Sequence, residues 1–336
     1  MYAEERDGVS ALRSAAEQGF EGVACVDDAA RAVVLYCEIW RRNRAPWART
    51  AATGLLRFIV FMQEPDGRFA NFVLDWDGRK NLSGPSSRPG GWAWQARAMH
   101  ALACGVAMFG RAPYEDAFRR GLVWLDRPGP YLDVRAVCVL AALEHWAATG
   151  AADLADRAVA WSEEIASHRT TDALTGTLLP ILPDAPHQEG IHLWGHLQEA
   201  ALARVGKVFD RADLVEIARS SAEAFLVPAV AGGFVAPHTI PFDVSCAALG
   251  LGAVADATGD ARYAEHADLA RAWFAGRNAA GRPVYDRQFG LVYDGIDDGR
   301  VSTNSGAESN IEGGLTLLGV LPLHEYDPPT ELANNP

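Results

Sequence analysis

The run "VDDAARAVVLYCEIWRR" (26–42) is apolar nearly all the way round once its leading acids, Asp27 and Asp28, are passed. A helix without a polar face is buried on most of its sides. Five more stretches read the same way: "GWAWQARAMHALACGVAMFG" (91–110), "LDVRAVCVLAALEHWAATG" (132–150), "HLWGHLQEAALARVGKVF" (192–209), "FDVSCAALGLGAVADATG" (242–259) and "GAESNIEGGLTLLGVL" (306–321). Between them lie amphipathic segments. In "ADLADRAVAWSEEIASHR" (152–169), Leu154, Ala158, Trp161 and Ile165 share one face and charge covers the other. The stretches 46–63, 112–126, 211–226 and 260–275 behave alike, and 3–18 supplies the sixth of this set.

Buried and amphipathic helices therefore alternate, six of each, with a period of roughly 50 residues. Links such as "TGAAD" and "TGDAR" end one helix on Gly and start the next near Asp. The expected architecture is all-α: an inner ring of six helices wrapped by six outer ones, an (α/α)6 toroid. An open helical solenoid has the same local pattern. The ring is preferred because six hairpins close it and no capping repeat is evident. One domain is expected over 1–325, with a short tail at 326–336.

The segments entering the inner helices are the long ones: 64–91, 170–191, 227–241 and 276–305. The first contains a β-like alternation and a turn at Asp77-Gly78. Long loops in a compact fold are usually functional. All would gather at one end of the ring, as small β-hairpins around its mouth. The inner-helix starts bring Asp27, Asp28, Trp92, Trp94, Tyr131, Asp133, His192, His196, Asp243 and Glu308 to that mouth. A single Asp at a helix start is explained by capping. The set, with tryptophans beside the acids, suits a sugar, which lays apolar faces on aromatic rings and hydroxyls on carboxylates.

Composition narrows the partners. The 336-residue chain carries a net charge of −13, which disfavours nucleic acid and anionic membranes. No apolar run reaches the ~20 residues of a membrane span. Five cysteines, with no CxxC, read as reduced core residues of a cytoplasmic protein. No phosphate-binding glycine loop, HExxH or EF-hand spacing is present, and no cofactor is expected. His192 and His196, four apart, would need His187, Glu189 or Glu199 to complete a metal site, and hydrogen bonding to sugar hydroxyls is the preferred use.

Three segments, "GVACVDDAARAVVL", "DGRFANFVLDWDG" and "VYDRQFGLVYDGIDDGRVSTNSGAESNIEGGLTLL", resemble an uncharacterised group of six-hairpin glycosidase-like proteins. That group has a Gly-Tyr-x-x-Asp-Asp-Asn-Ala-Arg-Ala segment, an Asp-Gly-Arg-Phe-x-Asn-Phe segment and an Asn-x-Gly-Ala-Glu-Ser-Thr segment, in this order. The resemblance carries over Asp27, Asp28 and Arg31, then Asp66, Arg68 and Asn71, and then Asn304, Gly306, Glu308 and Ser309. Ala29 stands where Asn is usual, and Asn310 where Thr is usual. The resemblance implies the toroid and a carbohydrate context without supplying a reaction.

The expected chemistry is glycoside hydrolysis by paired carboxyls, on a neutral oligosaccharide or glycoside. Asp133 or Glu308 is expected as general acid and Asp28 as base or anchor, with inversion because a wide funnel leaves room for water. Asp27, Arg31, Arg68, Trp92, Trp94, Arg135, His192, His196, His238, Asp243 and Asn304 are expected around the substrate. A sugar epimerase using His192, His196 and His238 as acid and base is one alternative. A non-catalytic glycan-binding protein is another.

Overall fold

The computed structural model describes residues 2–6, 9–13, 19–110, 112–172, 174–185 and 191–319. The buried set appears as α1 (Val26–Asn43), α3 (Trp92–Phe109), α5 (Leu132–Thr149), α7 (Gln198–Val208), α10 (Pro241–Thr258) and α12 (Ala307–Leu318). Their neighbours run α1–α3–α5–α7–α10–α12 and back to α1, so the ring closes. An open solenoid is thereby excluded, and the architecture is the (α/α)6 toroid.

The outer layer comprises α2 (Pro46–Met62), α4 (Tyr114–Leu125), α6 (Ala152–Ser167), α8 (Ala212–Ser221) and α11 (Ala261–Ala272), each packed on the inner helix before it. The α8 helix runs on through a π-helical turn, Ala222–Leu226, into α9 (Val227–Ala231), so part of the segment expected as a loop is helical.

Two expectations fail. Among the described residues of 3–18 there is no outer helix: β1 (Tyr2–Arg6) pairs antiparallel with β2 (Val9–Arg13). The alternation of "YAEER" and "VSALR" around Asp7-Gly8 is a hairpin pattern as much as a helical one. The helix expected at 192–209 starts only at Gln198, because Gly195 takes a left-handed φ of +80° that breaks it. His192 and His196 are therefore loop residues and do not share a helical face. The expected tail, 326–336, and His187 and Glu189 lie outside the described residues.

Short strands tie the mouth loops together. β3 (Ala24–Cys25) pairs with β4 (Phe72–Val73); β5 (His238–Thr239), β8 (Ile296–Asp297) and β9 (Arg300–Val301) form a three-stranded patch; β6 (Tyr285–Asp286) pairs with β7 (Leu291–Val292). The turn at Asp77-Gly78 is present, with Gly78 at φ +85°. All five cysteines are free; four are buried and Cys25 is half-buried. Among the described residues no helix is long and apolar enough to cross a membrane.

Small residues set the helix spacing. A Cβ at Gly206 in α7 would meet Val215 Cγ2 at 2.6 Å and the Arg211 carbonyl oxygen at 2.9 Å. Gly252 in α10 has no such neighbour within 4 Å. Gly206→Ala is expected to lower unfolding free energy by about 1–3 kcal/mol through overpacking. Gly252→Ala should raise it by about 0.5–1 kcal/mol through helix propensity. Denaturant titration of both variants checks the pair.

Candidate active site

The first turn of α1 explains its paired acids only in part. Asp28 N–H donates to Cys25 Sγ (3.4 Å) and Asp27 N–H to Asn71 Oδ1 (3.0 Å), so neither acid caps its own helix. Both carboxylates turn instead to Arg31, one turn on. Arg31 Nη2 donates to Asp27 Oδ2 (3.1 Å), Asp28 Oδ1 (2.7 Å) and Glu308 Oε2 (2.9 Å), and Nη1 donates to Glu312 Oε1 (3.0 Å). One buried guanidinium thus holds four carboxylates from the first and last inner helices. Arg97 of α3 makes a second, very short contact to Asp27 Oδ2. Both guanidiniums lie on the Phe242 ring of α10, at 5.0 and 5.4 Å from its centroid.

All of these residues except Glu312 and Phe242 border a cavity of about 730 Å³. Asp27, Asp28, Arg31, Trp94, Arg97 and Glu308 line it, with Phe20 and Phe72 as apolar walls. Asn71 and Ser309 also line it, and Gly306 donates to Asp294 Oδ1 (2.5 Å) at its edge. Trp94 is fixed by its indole N–H on the Phe69 carbonyl (2.9 Å).

The acids are not equivalent. Burial would raise the Asp27 carboxyl, but Arg97 and Arg31 outweigh it and hold the pKa below the usual range. Burial raises Asp28, partly offset by Arg31, while Asp27 and Glu308 push it further up. Burial likewise raises Glu312, against the pull of Arg31. The cavity therefore sets Asp28, whose carboxyl pKa burial raises above the usual range, beside the half-exposed Glu308.

A second cluster adjoins it on the α5, α7 and α10 side. The loop 192–195 is pinned here: a Cβ at Gly195 would lie 3.5 Å from Asp133 Oδ2, and the Trp194 backbone bonds Asp243. Burial raises both Asp133 and Asp243. Asp243 also accepts from the Ile240 N–H (2.9 Å), so it caps α10 as a bland reading of an N-terminal Asp expects. Asp133 Oδ1 is buried with no hydrogen-bond partner among the described residues. Asp133, His192 and Asp243 are not among the residues lining the cavity of Asp28 and Glu308; they flank it, since a Cβ at Gly195 would also lie 3.9 Å from Phe242, the ring under Arg31 and Arg97.

Other expected residues are spent elsewhere. Arg135 is spent on other partners, donating from Nη1 to the Leu125 carbonyl (2.8 Å) and from Nη2 to Glu164 Oε1 (3.4 Å), over Trp161. Arg68 is exposed, bound to Asp66 and lying over Trp124. His238 is exposed and paired with Asp297 (2.6 Å). Asn304 enters the α12 loop through its backbone carbonyl, which accepts from Asp294. Trp92 stands on the rim, leaning on Tyr131. His196 is fully buried between Asp184 (2.9 Å) and Glu199 (3.0 Å), so neither ring nitrogen is free for a metal or a sugar. No group of three His, Cys, Asp or Glu able to hold a metal forms among the described residues.

Sequence patterns did not point to Arg97, Phe242 or Asp184. Arg97 carried a signal, being an arginine inside an otherwise apolar inner helix, as Arg31 is. Asp184, which holds both His196 and the His192 N–H (2.8 Å), is a lone acid in "PILPDAP" and carried none.

No protein-family model matches the chain, and no curated protein matches it in sequence. Solved structures share its fold. A sugar epimerase from a ruminal bacterium superposes with a TM-score of 0.68 at 13% identity, covering 90% of this chain and 88% of that one. A D-mannose isomerase gives 0.66 at 11% identity, with 88% and 86% covered. A GH76 α-mannanase from Bacteroides thetaiotaomicron gives 0.62 at 10% identity, with 90% and 87% covered. The fold is therefore that of the six-hairpin toroids.

Removing one partner of a buried ion cluster leaves the rest uncompensated, at a cost of roughly 3–5 kcal/mol. Arg31→Met is expected to destabilise by that order, read by denaturant titration at pH 7. It should recover part of the loss at pH 4, where the orphaned acids protonate. His196 supplies a second pH test, in the alkaline range. Burial would lower its pKa, yet Glu199 and Asp184 raise it from 6.5 to about 10. A raised folded pKa gives stability that is full below the unfolded pKa and lost as pH rises through the folded one. Unfolding free energy should therefore fall between pH 6.5 and about 10, and His196→Gln should flatten that slope.

Proposed function

We propose that the protein is a carbohydrate-active enzyme, and that its reaction is hydrolysis of a neutral glycoside by Asp28 and Glu308. The observation that carries this reading is the pair itself: two carboxyls on one cavity, held by the same nitrogen, one with a raised pKa. Glycoside hydrolysis needs one protonated carboxyl to donate to the leaving oxygen and one ionised carboxylate. Burial favours the proton on Asp28, which we assign as general acid in place of the expected Asp133 or Glu308, reversing its expected role as base or anchor. Glu308, more open to solvent, is assigned as the carboxylate partner.

The nearest oxygens of the pair share Arg31 Nη2, at 2.7 and 2.9 Å. They are closer than the about 6.5–9.5 Å typical of inverting pairs, which favours retention through a nucleophilic Glu308 over the inversion expected from a wide funnel. Neutral substrate is favoured because the cavity has no free cation among its described lining residues: Arg31 is taken by four carboxylates and Arg97 by Asp27. The aromatic walls and the toroids of known sugar enzymes that share this fold support the carbohydrate class.

The epimerase reading rests on His192, which stands half-buried at the rim near Asp184 (3.6 Å). It is weakened because His196 and His238, the other expected bases, are both engaged away from the cavity.

A panel of aryl glycosides and oligosaccharides, with products followed by NMR, tests the reading. Asp28→Asn and Glu308→Gln should each keep the fold and cut turnover by about 10²–10⁴. His192→Ala should keep most of it. The wild-type rate should fall as pH rises through the elevated Asp28 pKa, because the acid form is consumed. Full activity in both carboxamide variants, with loss in His192→Ala, would transfer the chemistry to the histidine.

A further inference from the structure

The mouth of the ring has two unlike halves. Asp28 and Glu308 stand on the α1 and α12 side, backed by the β3–β4 pair and the loop that enters α12. On the α3, α5 and α7 side stand three solvent-exposed aromatic rings: Trp92 is 43% exposed, Tyr131 39% and Trp194 47%. Core packing does not account for them, since large aromatic side chains gain most when buried.

Each ring is nonetheless held in a fixed attitude. Trp92 and Tyr131 lean together with centroids 5.3 Å apart. Trp92 also rests on Gly129, where a Cβ would come within 2.4 Å of the indole, so the Gly129 backbone forms its floor. Trp194 is stacked on His192, 3.5 Å between centroids and 5° from parallel. Every ring thus has one side braced by protein and part of its surface open to solvent. Bracing removes rotamer freedom before any ligand arrives, which lowers the entropy lost on binding.

The aromatic half adjoins the cavity without lining it: a Cβ on Gly195, next to Trp194, would lie 3.9 Å from Phe242, the ring beneath Arg31 and Arg97. Trp92 itself borders a separate small pocket with Trp124 and Leu125, next in sequence to Ala93 and Trp94 of the cavity wall. Tyr131 precedes Leu132, whose N–H donates to the Asp184 carbonyl (2.5 Å), and Asp184 Oδ2 accepts the His192 N–H (2.8 Å), so Tyr131 and the His192–Trp194 stack share one support. The Trp194 backbone is bonded to Asp243, which also senses Glu308.

We propose that Trp92, Tyr131 and Trp194 form a second binding region, which takes the sugar units next to the one held at Asp28 and Glu308. The ligand is then an oligosaccharide lying from the acidic half across the aromatic half, not a free monosaccharide. Flat apolar sugar faces suit the exposed rings. The lack of an unpaired guanidinium among the described residues of the adjoining cavity suits neutral units. This inference rests on the carbohydrate reading above.

The test starts from a glycan array of neutral mono- to hexasaccharides, followed by calorimetric titration with the one- to four-unit ladder of the array's strongest binder. Affinity is expected to rise about tenfold from one unit to three, the scale of one or two aromatic contacts. Trp194→Ala and Tyr131→Ala should flatten that rise, and Trp194→Phe should keep part of it. Asp28→Asn should weaken binding of every length by the same factor, without altering the slope. A ladder with measurable monosaccharide binding and no gain on lengthening overturns the second region and leaves the carbohydrate reading intact. A rise that persists in both alanine variants overturns the second region in the same way. No binding anywhere on the array removes the carbohydrate reading, and the second region with it.

Discussion

The guanidinium of Arg31 is the constraint on which the mouth of the ring depends. It is buried, and a buried charge is tolerated only when paired and hydrogen-bonded. Two of its carboxylate partners, Asp27 and Asp28, lie on its own helix, within one turn. The others, Glu308 and Glu312, come from α12, at the far end of the chain. Satisfying this one side chain therefore requires the first and last inner helices to be neighbours. Ring closure and site electrostatics are the same interaction.

That coupling accounts for the unequal acids. Asp27, clamped by both Arg31 and Arg97, is tied up as an ion pair. Asp28 shares Arg31 with three competitors, so burial prevails and its proton is retained more strongly. Glu308 reaches the same nitrogen from another helix and keeps solvent access. Three acids of similar sequence character acquire different chemistry from the number of cations each can reach and from how much water it keeps.

The architecture was legible because its signal is local. Helices such as α5, buried from Leu132 to His145 on nearly every side, announce an inner layer by lacking a polar face. The outer helices announce themselves by their stripe. Periodicity misled where one residue overrides a pattern: Gly195 breaks the helix expected from His192, and a short hairpin replaces the helix expected at 3–18. Of the candidate site, Asp28, Arg31 and Glu308 were singled out through their place at helix starts and their motif pattern. Arg135, His196 and His238 were expected at the substrate and are engaged elsewhere, because position along a helix or loop does not say which way a side chain is spent.

The sequence by itself determined the layer to which each helix belongs and the end of the ring at which the polar residues gather. Hydrophobic periodicity and helix-start chemistry are properties of neighbouring residues, and need no partner from afar. Tertiary structure decided which acids meet, which arginine holds them, and which carboxyl pKa is raised and which lowered. Those outcomes depend on through-space distances of a few ångströms between groups such as Arg31 and Glu312, which are 281 positions apart. Coulomb and desolvation energies follow that distance and the local water, neither of which is written in the order of the residues.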